Sequence, residues 1–312
     1  MRGLLAAFST IWAVTAVGWL IGRFGLLGRE GENVLARLVF FIATPALLFD
    51  TLATAELRDI VTPALAVFVL STVTVAAMFL LWARLAWRRS TGETVVGTMA
   101  ASYVNAANLG LPVAAYALGD VAFAVPVLLF QLLLAGPAAL AVLEMESRKG
   151  RAALVLAPLR NPIMLSAAAG LAVSVSGWDP PEELLRPFAL VGAAAVPLAL
   201  LALGVSLGGP RPVGEGTRNT QVRWMVVAVV LAVVVALKVL VQPLLAYAIG
   251  RALGLDGRML LAAVVTSGLP TAQNVFVYAV RYGKASWLAR DAVVVSTVLT
   301  APSLVLIALW LG

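Results

Sequence analysis

Two short polar runs interrupt an otherwise apolar chain, and both are built from residues that break helices and bind ligands. The first is Ser102-Tyr103-Val104-Asn105-Ala106-Ala107-Asn108-Leu109-Gly110-Leu111-Pro112. Proline removes a backbone donor and clashes with the preceding turn, so a helix through this stretch must open. The second run repeats the device as Thr266-Ser267-Gly268-Leu269-Pro270-Thr271-Ala272-Gln273-Asn274. Inside a bilayer each unpaired backbone group costs several kcal/mol, so such openings must face protein or a polar cavity. The start of a half-helix carries partial positive charge and favours a carboxylate or other anion. Amide side chains add hydrogen bonds without the desolvation of a full charge. Asn105, Asn108, Gly110, Pro112, Gly268, Pro270, Thr271 and Asn274 are therefore the candidate binding residues. Either run alone is equally a proline kink whose asparagines bond a neighbouring helix. Two of them at corresponding places point to a substrate site.

Lys238 lies in the apolar run Val235-Ala236-Leu237-Lys238-Val239-Leu240. A basic residue at a membrane helix centre costs at least about 2.5 kcal/mol on insertion scales, so it must face protein or water. It can bond carbonyls freed by a broken helix, balance an anionic substrate, exchange a proton, or stand where a coupling ion would sit. Asp50 is the deepest acidic residue, either a helix-end group at the interface or a coupling site; Glu144 lies at an inner helix end. Gln131 is a further polar residue suited to a cavity wall. With neither cysteine nor histidine, disulfides, haem and the usual zinc sites are excluded. No nucleophile–base set, nucleotide loop or metal cluster appears, so neither enzyme chemistry nor a cofactor is expected.

The elements that must position these groups are membrane helices. Of 312 residues 62% are hydrophobic and 12% charged, with a mean hydropathy of +1.00. Apolar stretches of about 20 residues, the length that crosses a bilayer core, recur throughout. Ten spans are expected, near 3–22, 34–54, 59–83, 94–118, 120–143, 157–176, 184–208, 224–250, 258–280 and 291–311. The first begins at Leu4 and is too long to be a signal peptide. Segments 144–156 and 209–223 are the longest connections. The basic residues behind the net charge of +7 sit singly or in short groups between the apolar spans and imply no nucleic-acid partner. Sixteen Lys and Arg fall on one side of the spans and five on the other. That bias places the odd-numbered connections in the cytoplasm and both termini outside, in a multi-pass protein of the bacterial inner (plasma) membrane.

Gly18 and Pro45 recur as Gly170 and Pro197, both offset by 152, and Gly110-Leu111-Pro112 recurs as Gly268-Leu269-Pro270, offset by 158. Two halves of five spans each, an odd number, enter the membrane from opposite sides. The expected fold is all-α, with two inverted five-helix repeats and broken helices 4 and 9. Gly18/Gly22 and Gly204/Gly208 have the small-xxx-small spacing that permits close packing or dimerisation.

Several of these segments together resemble the auxin efflux carrier family, whose members include plant auxin carriers and bacterial malonate-type permeases. The resemblance is carried by Asn105-x4-Gly110-x-Pro112 and by Gly268-Leu269-Pro270-x3-Asn274-Val275-Phe276, followed by Tyr282-Gly283. Thr44-Pro45-Ala46-Leu47-Leu48-Phe49 and Leu237-Lys238-Val239-Leu240-Val241-Gln242-Pro243 extend it across the chain. It implies a fold similar to bile acid/sodium symporters in which broken helices 4 and 9 cross. Scaffold helices would lie in 1–56 and 151–210, with possible homodimer contacts, and transport-domain helices in 57–150 and 211–312. Asn105, Pro112, Pro270 and Asn274 would line the site. Unlike the sodium-coupled relatives, helices 3, 4, 8 and 9 have no mid-membrane carboxylate.

The expected function is secondary transport of a small carboxylate, by efflux or exchange and without sodium. The alternatives are a proton- or sodium-driven uptake symporter and, in another class, a channel or non-transporting receptor.

Overall fold

The computed structural model of the chain describes residues 2–28, 30–54, 62–110, 113–114, 118, 123–147, 161–208 and 220–311. Pro112 and most of the two longest expected connections, 148–156 and 209–219, lie outside these residues. Among the described residues every regular element is helical, and the one extended pairing is a single bridge between Val104 and Thr271.

We number the helices α1 (Arg2–Phe24), α2 (Gly31–Ala53), α3 (Pro63–Trp87), α4 (Thr91–Ser102), α5 (Val125–Glu146) and α6 (Pro162–Ser176). They continue with α7 (Glu182–Gly208), α8 (Met225–Ala252), α9 (Gly257–Ser267), α10 (Gln273–Tyr282) and α11 (Ser286–Leu311). Six of them, α2, α3, α5, α7, α8 and α11, are 22 to 28 residues of apolar sequence. At about 1.5 Å per residue each exceeds a hydrocarbon core of about 30 Å. The chain is an all-helical, multi-pass membrane protein.

Local chemistry sets where helices begin. Thr62 accepts from the Leu65 amide and Pro63 takes the first helical position of α3. Ser90 and Glu93 form a reciprocal capping box on α4. Asn161 caps α6 through the Ile163 amide. Besides the π turn Ala83–Trp87 that ends α3, three helices widen to π turns in mid-course, at Val39–Ala43, Gln131–Ala135 and Leu237–Val241. Each of these three lies just before a proline, Pro45, Pro137 or Pro243. A wider turn relieves the clash between the proline ring and the carbonyl four residues earlier.

Helices α1 and α7 pack backbone to backbone, because Gly18 and Gly22 face Leu201 and Val205 while Gly204 and Gly208 face Thr15 and Trp19. The small-xxx-small spacing thus serves packing within one chain. Gly170 of α6 lies on Phe49 and Leu52 of α2 in the same manner, and Gly192 of α7 on Leu47. The remaining helices pack mainly on one another: α3 on α4, α8 and α9, and α11 on α4, α8, α9 and α10. Their buried apolar residues form two clusters, one around Phe79, Met99, Leu143 and Phe276, the other around Phe68, Leu109, Leu261 and Leu304. Between the two, along each helix, come buried polar residues: Ser71 and Thr72, Ser102 and Asn105, Lys238 and Gln242, Ser267 and Thr271, Ser296 and Thr300. A polar layer at that depth demands partners.

Candidate functional site

The partners are supplied by the two interrupted segments themselves. After α4 the chain becomes extended at Tyr103 (φ −87°, ψ 110°). After α9 it does the same at Ala272 (φ −70°, ψ 139°), just before α10. The two extended pieces cross antiparallel. The Asn105 amide donates to the Pro270 carbonyl at 2.8 Å, and the Ala272 amide donates to the Tyr103 carbonyl at 3.1 Å. Thr271 donates its hydroxyl to the Ala100 carbonyl (2.7 Å), and its amide donates to Ser296 Oγ (3.1 Å). Each break therefore repairs the other, which is how irregular backbone survives where no water can serve it. Gly110 leaves room for Leu269, whose Cδ1 would stand 3.3 Å from a Cβ there.

Asn105 begins the next helical piece, Ala106–Gly110. Its carbonyl accepts from the Leu109 and Gly110 amides at 3.2 and 3.0 Å. Its Oδ1 accepts from the Asn108 amide at 3.3 Å and from Asn108 Nδ2 at 3.1 Å.

Lys238 is fully buried behind the crossing. Its ammonium donates to Gln242 Oε1 at 2.5 Å and to the Ser267 carbonyl at 3.1 Å. Gln242, one turn on, donates to Thr72 Oγ1 (3.0 Å) and to the Ser102 carbonyl (3.4 Å). Ser102 and Ser267 are the last residues of α4 and α9. A helix C-terminus carries roughly −0.5 of an elementary charge, so one ammonium and one amide neutralise two such ends at once.

On the other side of the crossing a cavity of about 210 Å³ opens between α2, α5, the 103–108 segment and the start of α10. Of the expected residues, Asn105, Asn108, Gln131 and Asn274 line it; Gly110, Gly268, Pro270 and Thr271 belong to the crossing or its flanks but not to this wall. Asp50 lies one residue before the lining Thr51 and outside the wall, as does Lys238. The wall also includes Tyr103 of the first interrupted run, together with Thr44 and Gln273, which are not among the expected residues. Among the described residues, none of those lining it bears a formal charge. Gln131 and Gln273 are both 2% exposed, and Gln131 Nε2 and Gln273 Oε1 have no hydrogen-bond partner. The first amides of α10, at Gln273 and Asn274, stand where a helix offers its own donors no acceptor. Tyr103 donates its hydroxyl to the Gln131 carbonyl at 3.3 Å, so it props the widened turn of α5. A larger groove of about 630 Å³ between α8 and α11 is almost wholly aliphatic and offers an anion nothing.

Away from the cavity, α10 ends in a second polar cluster. Tyr282 donates to Glu144 Oε2 at 3.0 Å and accepts from Asn161 Nδ2 at 3.4 Å. Arg281 lies over the rings of Phe40 and Phe41, 5.5 and 4.8 Å from their centroids. Lys284 pairs with Glu146 at 2.8 Å.

A family model described as "Membrane transport protein" matches residues 5–154 and again 147–308. A protein of Rhizobium meliloti (strain 1021) named "Putative malonate transporter" is 29% identical over 317 aligned positions, covering 96% of this chain and 92% of that protein. An "Uncharacterized transporter" of Methanothermobacter thermautotrophicus is 26% identical, covering 96% and 95%.

Proposed function

This chain belongs to the membrane transport protein family, the auxin efflux carrier group, and on that premise we propose that it is a secondary carrier of a small carboxylate. The observation that carries the reading is the crossing of two broken helices beside an uncharged, amide-lined cavity. Free donors at the start of α10 and on Gln131 suit a carboxylate. The relative named for malonate supports a short dicarboxylate as the first ligand to try.

In this reading the fold is two inverted five-helix repeats, and the packing supports it. Gly18 of α1 against α7 and Gly170 of α6 against α2 are repeat-related contacts between repeat-related helices. The helices α1, α2, α6 and α7 act as the scaffold, and the rest move against it to expose the cavity to each side in turn. Both termini lie outside, in the inner membrane. Lys238 holds a fixed positive charge at the two helix ends where a coupling ion would bind, so transport proceeds without sodium.

The test is counterflow in proteoliposomes preloaded with malonate, in sodium and in sodium-free choline buffer. Equal, saturable exchange in both is expected. No exchange of any organic acid would sink the carrier reading, and strict sodium dependence would sink the role given to Lys238. Single-channel currents in the same membranes would identify a channel instead.

A further inference from the structure

We propose that the cavity accepts a dicarboxylic acid in its half-ionised form, with Gln131 and Gln273 reading the two unlike ends. The proposal rests on the carboxylate-carrier reading and fixes the charge state of the ligand. Two buried glutamines line one small cavity, and each has a polar atom without a partner: a donor on Gln131 and an acceptor on Gln273. Buried polar atoms are nearly always paired, so two orphans on one wall define what is missing. The missing group must accept at one end and donate at the other. A carboxylate facing a carboxylic acid does both.

Charge decides against the dianion. Among the described residues the wall holds no basic side chain, and the start of α10 contributes only about half an elementary charge. One negative charge can be balanced there by helix start and amides; a second would be buried uncompensated, which is heavily disfavoured. The titratable groups nearby have other engagements. Tyr103 donates to the Gln131 carbonyl. Lys238 is bonded to Gln242 and Ser267 behind the crossing. On α10, Tyr278 packs its ring on Phe40, and Tyr282 with Glu144 lies at the far end. On the neighbouring helices, Asp50 of α2 stands outside the wall, and Arg290 of α11 pairs with Asp291 and the Ser206 carbonyl. A proton therefore crosses the membrane on the ligand itself, and the site needs no proton-exchanging side chain.

The experiment measures binding of malonate, succinate and their monomethyl esters to the purified protein by calorimetry, between about pH 5 and about pH 7.5. The ester is a monoanion throughout that range but has no proton to donate. For each diacid, Kd on total ligand should weaken about tenfold per pH unit above the ligand's second pKa, while the ester's Kd stays level. At the acidic end the diacid should bind about tenfold more tightly than its ester, and Gln273→Leu should erase that gap. Diacid affinity that is level, or that improves as the dianion accumulates, overturns the proposal. So does an ester curve that falls in parallel, since that would assign the titration to the protein. If no organic acid binds at any pH, the carboxylate reading itself is what fails. The wild-type pH comparison stands whether or not the Gln273 variant folds.

Discussion

Asn105 joins structure to binding through separate atoms. Its backbone amide completes the crossing, its carbonyl starts the next helical piece, and its Oδ1 holds Asn108 beside the cavity. Asn105→Ala keeps the first two and deletes the third. Loss of such a cap costs about 0.5–2 kcal/mol, so the variant should melt several degrees lower and bind carboxylate at least tenfold more weakly. Asn105→Asp separates the two effects. Its carboxylate still caps, so most of the melting temperature should return, whereas the new negative charge in the cavity should abolish anion binding. Asn274 lines the same cavity from the first turn of α10 and is only half-buried. Asn274→Ala should therefore weaken binding with little change in melting temperature. Thermal melts and calorimetry on the three variants check this, and unchanged binding in both alanine variants would remove these side chains from the site.

Three elements meet at Lys238: it rides on α8 and, with Gln242, covers the carbonyl ends of α4 and α9. Hydrogen bonds from a charged donor are worth about 1.5–3 kcal/mol, so Lys238→Ala should lower the melting point substantially. The gap it leaves faces the Gln242 amide oxygen and the Ser267 carbonyl, oxygens suited to a small monovalent cation. Sodium should thus raise the melting point of Lys238→Ala while leaving the wild type unmoved; a variant as stable as the wild type in either salt would refute the capping role. Much of this arrangement is legible in the chain. Asn, Gly and Pro mark both ruptures, and a lysine in a greasy helix announces that something polar lies opposite. Gln242, four residues on, shares that face by spacing alone. The crossing was reached only through the family resemblance. No local pattern tells that Asn105 bonds Pro270, because that pairing joins segments 165 residues apart and exists only once both helices have opened. Gln273 sits in the quoted motif next to Asn274, and only the fold shows it in the cavity wall with an amide oxygen that has no partner.

At the scale of the molecule, the helices fall into two packing groups that touch chiefly through α2 and α7 against α10. Inside the first group, α1, α2, α6 and α7, glycines bring helix backbones into direct contact. Contacts between the groups are made by rings and long side chains, such as Phe40 with Tyr278 and Arg281 with Phe41, which can part and re-form. If the groups move as bodies, joining them should stop transport, and joining two members of one group should not. The chain has no cysteine, so introduced pairs are the sole thiols. The rings of Phe40 on α2 and Tyr278 on α10 have centroids 6.1 Å apart, and those of Phe49 on α2 and Phe188 on α7 are 4.6 Å apart. Cross-linking Phe40→Cys/Tyr278→Cys with a short bis-thiosulfonate should abolish counterflow, with recovery on reduction. Ligand should still bind from one side of the membrane, because the cavity itself is undisturbed. The Phe49→Cys/Phe188→Cys pair, linked equally completely, should exchange substrate at its unlinked rate. Transport that persists through a complete α2–α10 link would mean that the cavity opens by local rearrangement, with the two groups fixed in place.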